Sequence, residues 1–250
     1  MQRRREAVAS MEGQSWKGVD DGGPTAAAGH GRGTRISVAI TSDYRRTHCK
    51  GAMDIKPQEV IDALTAAGIR KWVLVGLHGY VGYLRQPRAT QDVDVLISHR
   101  DRARAIGAIR QAWPSLLVEE LEPVVRFKDP NDCFAEGQPK PVIDLMLPWS
   151  RLSQAVLNEK GHVRIDPETQ HVIPTVEAAL ALKYAAMISD FHDREKKEYD
   201  AADFRRIART NHASVNREPL RYLGDLIWEH GGEELVQFLD IALKDEPFPI

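Results

Sequence analysis

The sequence predicts a mixed α/β protein: a small mixed β-sheet with flanking helices, followed by a C-terminal helical part. Three observations predict it. Lys71–Gly76, Gln91–Ile97 and Pro141–Leu147 are short apolar runs of strand length and strand composition. Segments with the apolar period of a helix separate them. From Pro174 onward strand patterns stop and only helical ones follow. The division expected is therefore a mixed core over 53–173 and a helical region over 174–250 packing on it.

Residues 1–52 are expected to be a disordered N-terminal extension. The first fifty residues hold seven of the 18 glycines and few large apolar side chains to offset the entropy of ordering. Ile36–Ile40 is the one short strand candidate there. Folded sequence is expected to begin near Met53, a candidate translation start. Pro57–Ala67 then reads as a helix: Pro57 suits a first turn, Val60, Ile61 and Leu64 share a face, and Gly68 stops it. Lys71–Gly76 is a buried strand and His78–Leu84 a short helix. Gln91–Ile97 is the second strand and Arg100–Trp113 the next helix. Leu116–Phe127 holds one or two strands broken at Pro123, and Lys128–Lys140 is a polar loop. Pro141–Leu147 is the third strand, Trp149–Leu157 a helix, and His162–Ile165 with His171–Ile173 a hairpin. Thr175 caps a helix over Val176–Ile188. Helices over Glu195–Thr210, Pro219–His230 and Glu233–Leu243 complete the chain.

Composition narrows the function. No apolar run is long enough to cross a bilayer, and no apolar stretch follows Arg3-Arg4-Arg5 to make a secretory leader. Cys49 and Cys133 are the only cysteines and form no metal or redox spacing, so the cytoplasm is the expected compartment. The net charge of −2 hides an asymmetry. Residues 1–50 carry nine Lys/Arg against five Asp/Glu, and the other 200 carry 25 against 31. The folded part is not a generally basic nucleic-acid binder, and any such contact needs a local patch.

The candidate chemistry lies in carboxylates. Strand side chains alternate faces, so Asp92 and Asp94 share one face while Val93, Val95 and Ile97 take the other. Asp144 interrupts an apolar strand, where a lone buried carboxylate is costly. Three carboxylates on adjacent strands can hold one or two Mg²⁺ (or Mn²⁺) ions, and such ions support transfer at phosphorus. Gly76, ending the preceding strand, would let a triphosphate approach backbone N–H groups. Arg88 and Thr90 stand just upstream of the pair, in reach of phosphate oxygens. Plainer roles exist for each: a turn glycine at Gly76, a packing or helix-start residue at His78, a solvated charge at Arg88.

These residues resemble a known family. Val75-Gly76-Leu77-His78, then Arg88-x-Thr90-x-Asp92-Val93-Asp94-Val95, then a distant strand carrying Asp144, resemble the nucleotidyltransferase superfamily of DNA polymerase beta type, and within it minimal nucleotidyltransferases of the AbiEii toxin kind. Leu77 stands where those families typically carry Gly or Ser. Glu177–Lys183 looks like the helix they place after the core, with Lys183 facing the nucleotide. Arg194, Lys196 and Asp200 resemble their Arg-x-Lys-Asp-x-x-Asp segment, with Lys197 where an Asp is usual. The resemblance covers roughly 55–210. It implies Mg²⁺ at Asp92, Asp94 and Asp144, a nucleotide pocket of Gly76, Leu77, His78, Arg88, Thr90, Lys183 and Lys196, and transfer from an NTP to a hydroxyl on tRNA or another RNA, a protein or a small molecule. An antitoxin partner would accompany a toxin role. Read without the family, Lys183 and Lys196 can neutralise phosphate charge. Lys183 can equally snorkel from an apolar helix, and 193–206 can be a solvated charged face.

Two other functions compete. A metal-dependent glycosyltransferase also uses an Asp-x-Asp, but only about 40 residues of expected folded sequence precede this one, and Asp144 would be unexplained. A catalytically degenerate member would bind a nucleotide or a partner without transfer.

Overall fold

The computed structural model describes residues 29–249. The expectation of disorder over 1–28 lies outside them. Residues 30–48 correct it for the rest of that stretch: they form a helix, α1 (His30–His48), in which Ile36–Ile40 is helical rather than a strand. Its buried face is His30, Gly31, Gly33, Thr34, Ser37, Thr41 and Arg45, small or polar throughout. A search for large apolar residues at helical spacing passes over it for that reason. Arg45, Arg46 and His48 in its last turn suit the negative end of the helix dipole.

The elements after α1 are α2 (Pro57–Ala66), β1 (Trp72–Leu74), α3 (Gly76–Tyr80) running into a single 3₁₀ turn (Val81–Tyr83), β2 (Val93–Ile97), α4 (Arg102–Ala112), β3 (Leu117–Glu120), β4 (Val124–Cys133) and β5 (Pro139–Met146). Then come α5 (Arg151–Asn158), the hairpin strands β6 (Val163–Ile165) and β7 (Val172–Pro174), and α6 (Val176–Met187), α7 (Arg194–Asn211), α8 (Arg217–Asp225) and α9 (Gly231–Lys244). The mixed sheet has the order β1-β2-β5-β4-β3. Its β2–β5 pair is parallel and the others antiparallel. This is the α/β class expected, with helices on both faces.

Local chemistry explains the element ends. Pro57 opens α2 at N1, and the Glu59 side chain accepts from the Lys56 backbone N–H at 2.8 Å. Thr175, Asp193 and Asn216 each accept from a first-turn backbone N–H of α6, α7 and α8. Several boundaries shift by a residue or two, so that β2 begins at Val93 with Asp92 just before it, and two differ more. The polar loop over Lys128–Lys140 shrinks to 134–138, because β4 continues to Cys133 through irregular register. Its polar side chains are satisfied in place: Asp129 accepts from the Met53 and Asn131 N–H groups, and Asp132 pairs with Lys140 at 2.6 Å. The helix expected over Pro219–His230 ends at Asp225. There the chain reverses so tightly that a Cβ on Gly224 would stand 2.6 Å from the Gly231 carbonyl oxygen.

Two apolar clusters sandwich the sheet. Val93, Val95, Ile97, Ile143 and Leu145 face α2 and α4, joined by Val60, Ile61, Leu64, Ala105 and Ile109. On the opposite side Val73, Leu96 and Leu77 join a cluster built from α5 to α9, with Tyr184, Phe204, Phe238 and Leu239 at its centre. Alternation then puts Asp94, between Val93 and Val95, on the side of the C-terminal helices. No described helix is long and apolar enough to cross a membrane.

Candidate active site

β2 and β5 run parallel with Asp94 opposite Asp144 in register. Side chains opposite each other in a ladder share a face, and Asp92, two residues before Asp94, joins them. One carboxylate oxygen of each lies within 4.8 Å of the others. Asp94 and Asp92 are half-buried and Asp144 is buried.

Such crowding costs the charged forms. Burial first, then the neighbouring Asp92 and Asp144 carboxylates, hold Asp94 well above the ordinary carboxyl range. Burial and Asp92 push Asp144 up to about 6, with Arg126 and Lys196 acting against them. Arg126 Nε donates to Asp144 Oδ2 at 3.3 Å, while Asp144 Oδ1 is buried with no partner. The Thr90 hydroxyl donates to Asp92 Oδ1 at 3.0 Å. An all-oxygen donor set with surplus negative charge and an orphaned buried oxygen fits a hard divalent cation.

Gly76 is tied to this cluster sterically. It has φ +58°, and a Cβ there would stand 1.8 Å from Asp94 Oδ2. The Val75 N–H donates to the Asp94 carbonyl at 2.9 Å, which fixes the approach. The signal read as a turn glycine is therefore also the space that Asp94's carboxylate fills.

The remaining candidates fall into two groups. Arg88 and Lys183 belong to a buried ionic network around Asp203. Asp203 accepts from the Tyr80 hydroxyl at 2.5 Å and from Arg88 at 2.9 Å, with Lys183 at 3.2 Å. Lys183 also reaches Asp200 at 2.8 Å and lies 4.7 Å from the centre of the Tyr80 ring. Burial alone would raise Asp203, but Lys183 and Arg88 bring it down to about 2. Burial would lower Lys183, but Tyr80, Asp203 and Asp200 hold it above the ordinary lysine range. Both cations are thus already paired, although Lys183 still acts on Asp94 electrostatically.

The other group lies outside that network. Leu77 is buried in the apolar cluster beneath α6. His78 is buried and pushed down to about 3 by that burial, hence neutral near pH 7, with Nδ1 unpartnered. It lines a small cavity with Arg45, Thr90 and Asp92. Lys196 is exposed in the first turn of α7, and its charge reaches both Asp94 and Asp144. Arg194 is exposed and paired with Glu198 at 3.0 Å.

Sequence reasoning passed over Arg126, Asp203 and the hydroxyl face of α1. Arg126 had a weak signal, a cation set between Val125 and Phe127 in the run that opens β4. Asp203 had one as well, since it lies one turn beyond Asp200 on the same helical face.

No family profile matches the sequence, and no curated protein matches it either. Among solved structures, an antigenic nucleotidyltransferase-like protein from Paracoccidioides brasiliensis aligns with TM-score 0.48 and 16% identity, over 82% of this chain and 94% of that one. Terminal uridylyl transferase 4 from Trypanosoma brucei aligns with TM-score 0.31 and 14% identity with bound CTP, and 0.30 and 13% with bound GTP. Those alignments cover 86% of this chain and 74% of the other.

Proposed function

We propose that this chain is a Mg²⁺-dependent nucleotidyltransferase of DNA polymerase beta type, of the minimal AbiEii-like kind. It would move a nucleotide from an NTP to a hydroxyl acceptor. The reading rests on one observation: three carboxylates from β2, β5 and the turn before β2 converge within 4.8 Å, with Arg126 donating to Asp144. Asp92, Asp94 and Asp144 would hold Mg²⁺ or Mn²⁺. The ion, when bound, would supply charge neutralisation at the phosphoryl oxygens.

The chain's own residues supply the rest. Gly76 leaves the room that the Asp94 carboxylate takes. Arg126 orients Asp144, and Thr90 orients Asp92. Lys183 and Lys196 add positive charge toward the cluster. In the reaction the acceptor hydroxyl oxygen would form a bond to the α-phosphorus while the bond to pyrophosphate breaks and the hydroxyl proton passes to water. The acceptor would be tRNA or another RNA, a protein or a small molecule. The toxin role belongs to the same proposal and would require an antitoxin partner, recoverable by co-purification.

The test is incubation with each labelled NTP, Mg²⁺ and total RNA or protein, beside Asp92→Ala. Label transfer lost in the variant supports the reading, and no transfer to any acceptor overturns it. One observation favours a second reading, nucleotide or partner binding without transfer: Arg88 and Lys183 are already engaged by Asp203 and Asp200. Nucleotide binding with no label transfer would select it.

A further inference from the structure

α1 docks without the apolar core. None of its residues belongs to either apolar cluster of the described residues, and Ile36, Val38, Ile40 and Tyr44 stay half-exposed. Polar and backbone contacts hold it instead: Arg35 pairs with Glu168 at 2.6 Å, Ser42 donates to Asp54 at 2.7 Å, and two further sets of contacts position it. Its first turn lies against Gly82, where a Cβ would stand 2.5 Å from His30 Cα. Further along, three side chains at helical spacing reach the segment that leads into Asp92. The Ser37 hydroxyl donates to the Arg88 carbonyl at 2.6 Å. The Thr90 N–H donates to Thr41 Oγ1 at 3.2 Å. Arg45 donates to the Gln91 carbonyl. Ser37, Thr41 and Arg45 are themselves buried.

The consequence is mechanical. Residues 84–92 have no regular structure of their own, so their backbone groups need partners from elsewhere. α1 supplies them at three of the four residues from Arg88 to Gln91. Thr90 is held twice over, its N–H by Thr41 and its hydroxyl on Asp92 Oδ1. A shift of that segment would move Asp92 relative to Asp94 and Asp144, which the sheet fixes independently.

We propose that α1 is a brace for the carboxylate site, with Ser37, Thr41 and Arg45 as positioning residues that set Asp92 through the Arg88–Gln91 backbone. The proposal rests on the metal-site reading above. Residues that orient a ligand from behind typically change metal affinity by about 10- to 100-fold. Thr41 gives the cleanest probe. Valine keeps its shape and removes the oxygen, while serine keeps the oxygen.

The experiment uses the full chain in three forms: native, Thr41→Val and Thr41→Ser. Mn²⁺ affinity is measured by calorimetric titration, and amide hydrogen exchange by mass spectrometry. The expected result is at least tenfold weaker Mn²⁺ binding and faster exchange over 88–92 in Thr41→Val, with both restored in Thr41→Ser. Thr41→Val binding Mn²⁺ as the native chain does would overturn the brace while leaving the metal site intact. Absence of Mn²⁺ binding in the native chain would overturn the site reading, and the positioning role with it. Equal weakening in both variants would make Thr41 a packing residue and also overturn the proposal.

Discussion

A Cβ on residue 76 would stand 1.8 Å from Asp94 Oδ2 at a φ of +58°, so Gly76→Ala acts on the site and the backbone together. It should cost about 1–3 kcal/mol in folding and weaken divalent-cation binding at least about tenfold. Thermal unfolding and Mn²⁺ titration read the two separately. Asp144 carries a pH dependence. Its folded value, about 6 against an ordinary 3.8, means the folded chain keeps a proton the unfolded chain has lost between those values. Its stabilising contribution is present below about pH 3.8 and is lost as pH rises through about 6. Asp144→Asn should therefore stabilise the metal-free protein by about 1–3 kcal/mol at pH 8 and leave it unchanged at pH 3.5, read from denaturant midpoints. The three carboxylates were legible because alternation within a strand is a local property. The contact between Gly76 and Asp94 was not, because it depends on how β1 and β2 pair.

Helix ends and strands that carry their own signals were readable from the chain: Pro57, Thr175 and the apolar run into Asp144. α1 was not, because its burial pattern is written in Gly, Ser, Thr, His and Arg rather than in large apolar residues. Polar residues recur at 30, 34, 37, 41 and 45, a helical spacing in which the hydroxyls at 34, 37 and 41 are a readable run. The Lys128–Lys140 loop escaped for a related reason, since Asp129 and Asp132 of β4 find their partners in Met53 and Lys140. α7 is joined to α3 and to the Arg88 segment by the Asp203 network. Asp203→Ala would leave Arg88 without its carboxylate and Lys183 with only Asp200. A loss of about 3 kcal/mol is expected, with Asp203→Asn retaining part of it, checked by urea unfolding.

At the scale of the molecule, the sheet separates an apolar cluster under α2 and α4 from a larger one under α5 to α9. The carboxylates lie on the larger side, between strands fixed by that packing and a segment held by α1. Arg126, Lys183 and Lys196 relieve the repulsion among them only in part, since Asp94 and Asp144 stay above the ordinary carboxyl range. Asp94→Asn should thus fold, gain stability without metal, and lose any transfer activity, with unfolding temperature and label transfer as the readouts. Mn²⁺ should raise the unfolding temperature of the native chain in a concentration-dependent way and leave that of Asp94→Asn unchanged. The most direct test is calorimetric titration of Mn²⁺ into the native chain and into Asp94→Asn at pH 7.5. At least one ion bound by the native chain and none by the variant is the expected result, and equal binding, or none by either, would contradict a metal centre at Asp92, Asp94 and Asp144.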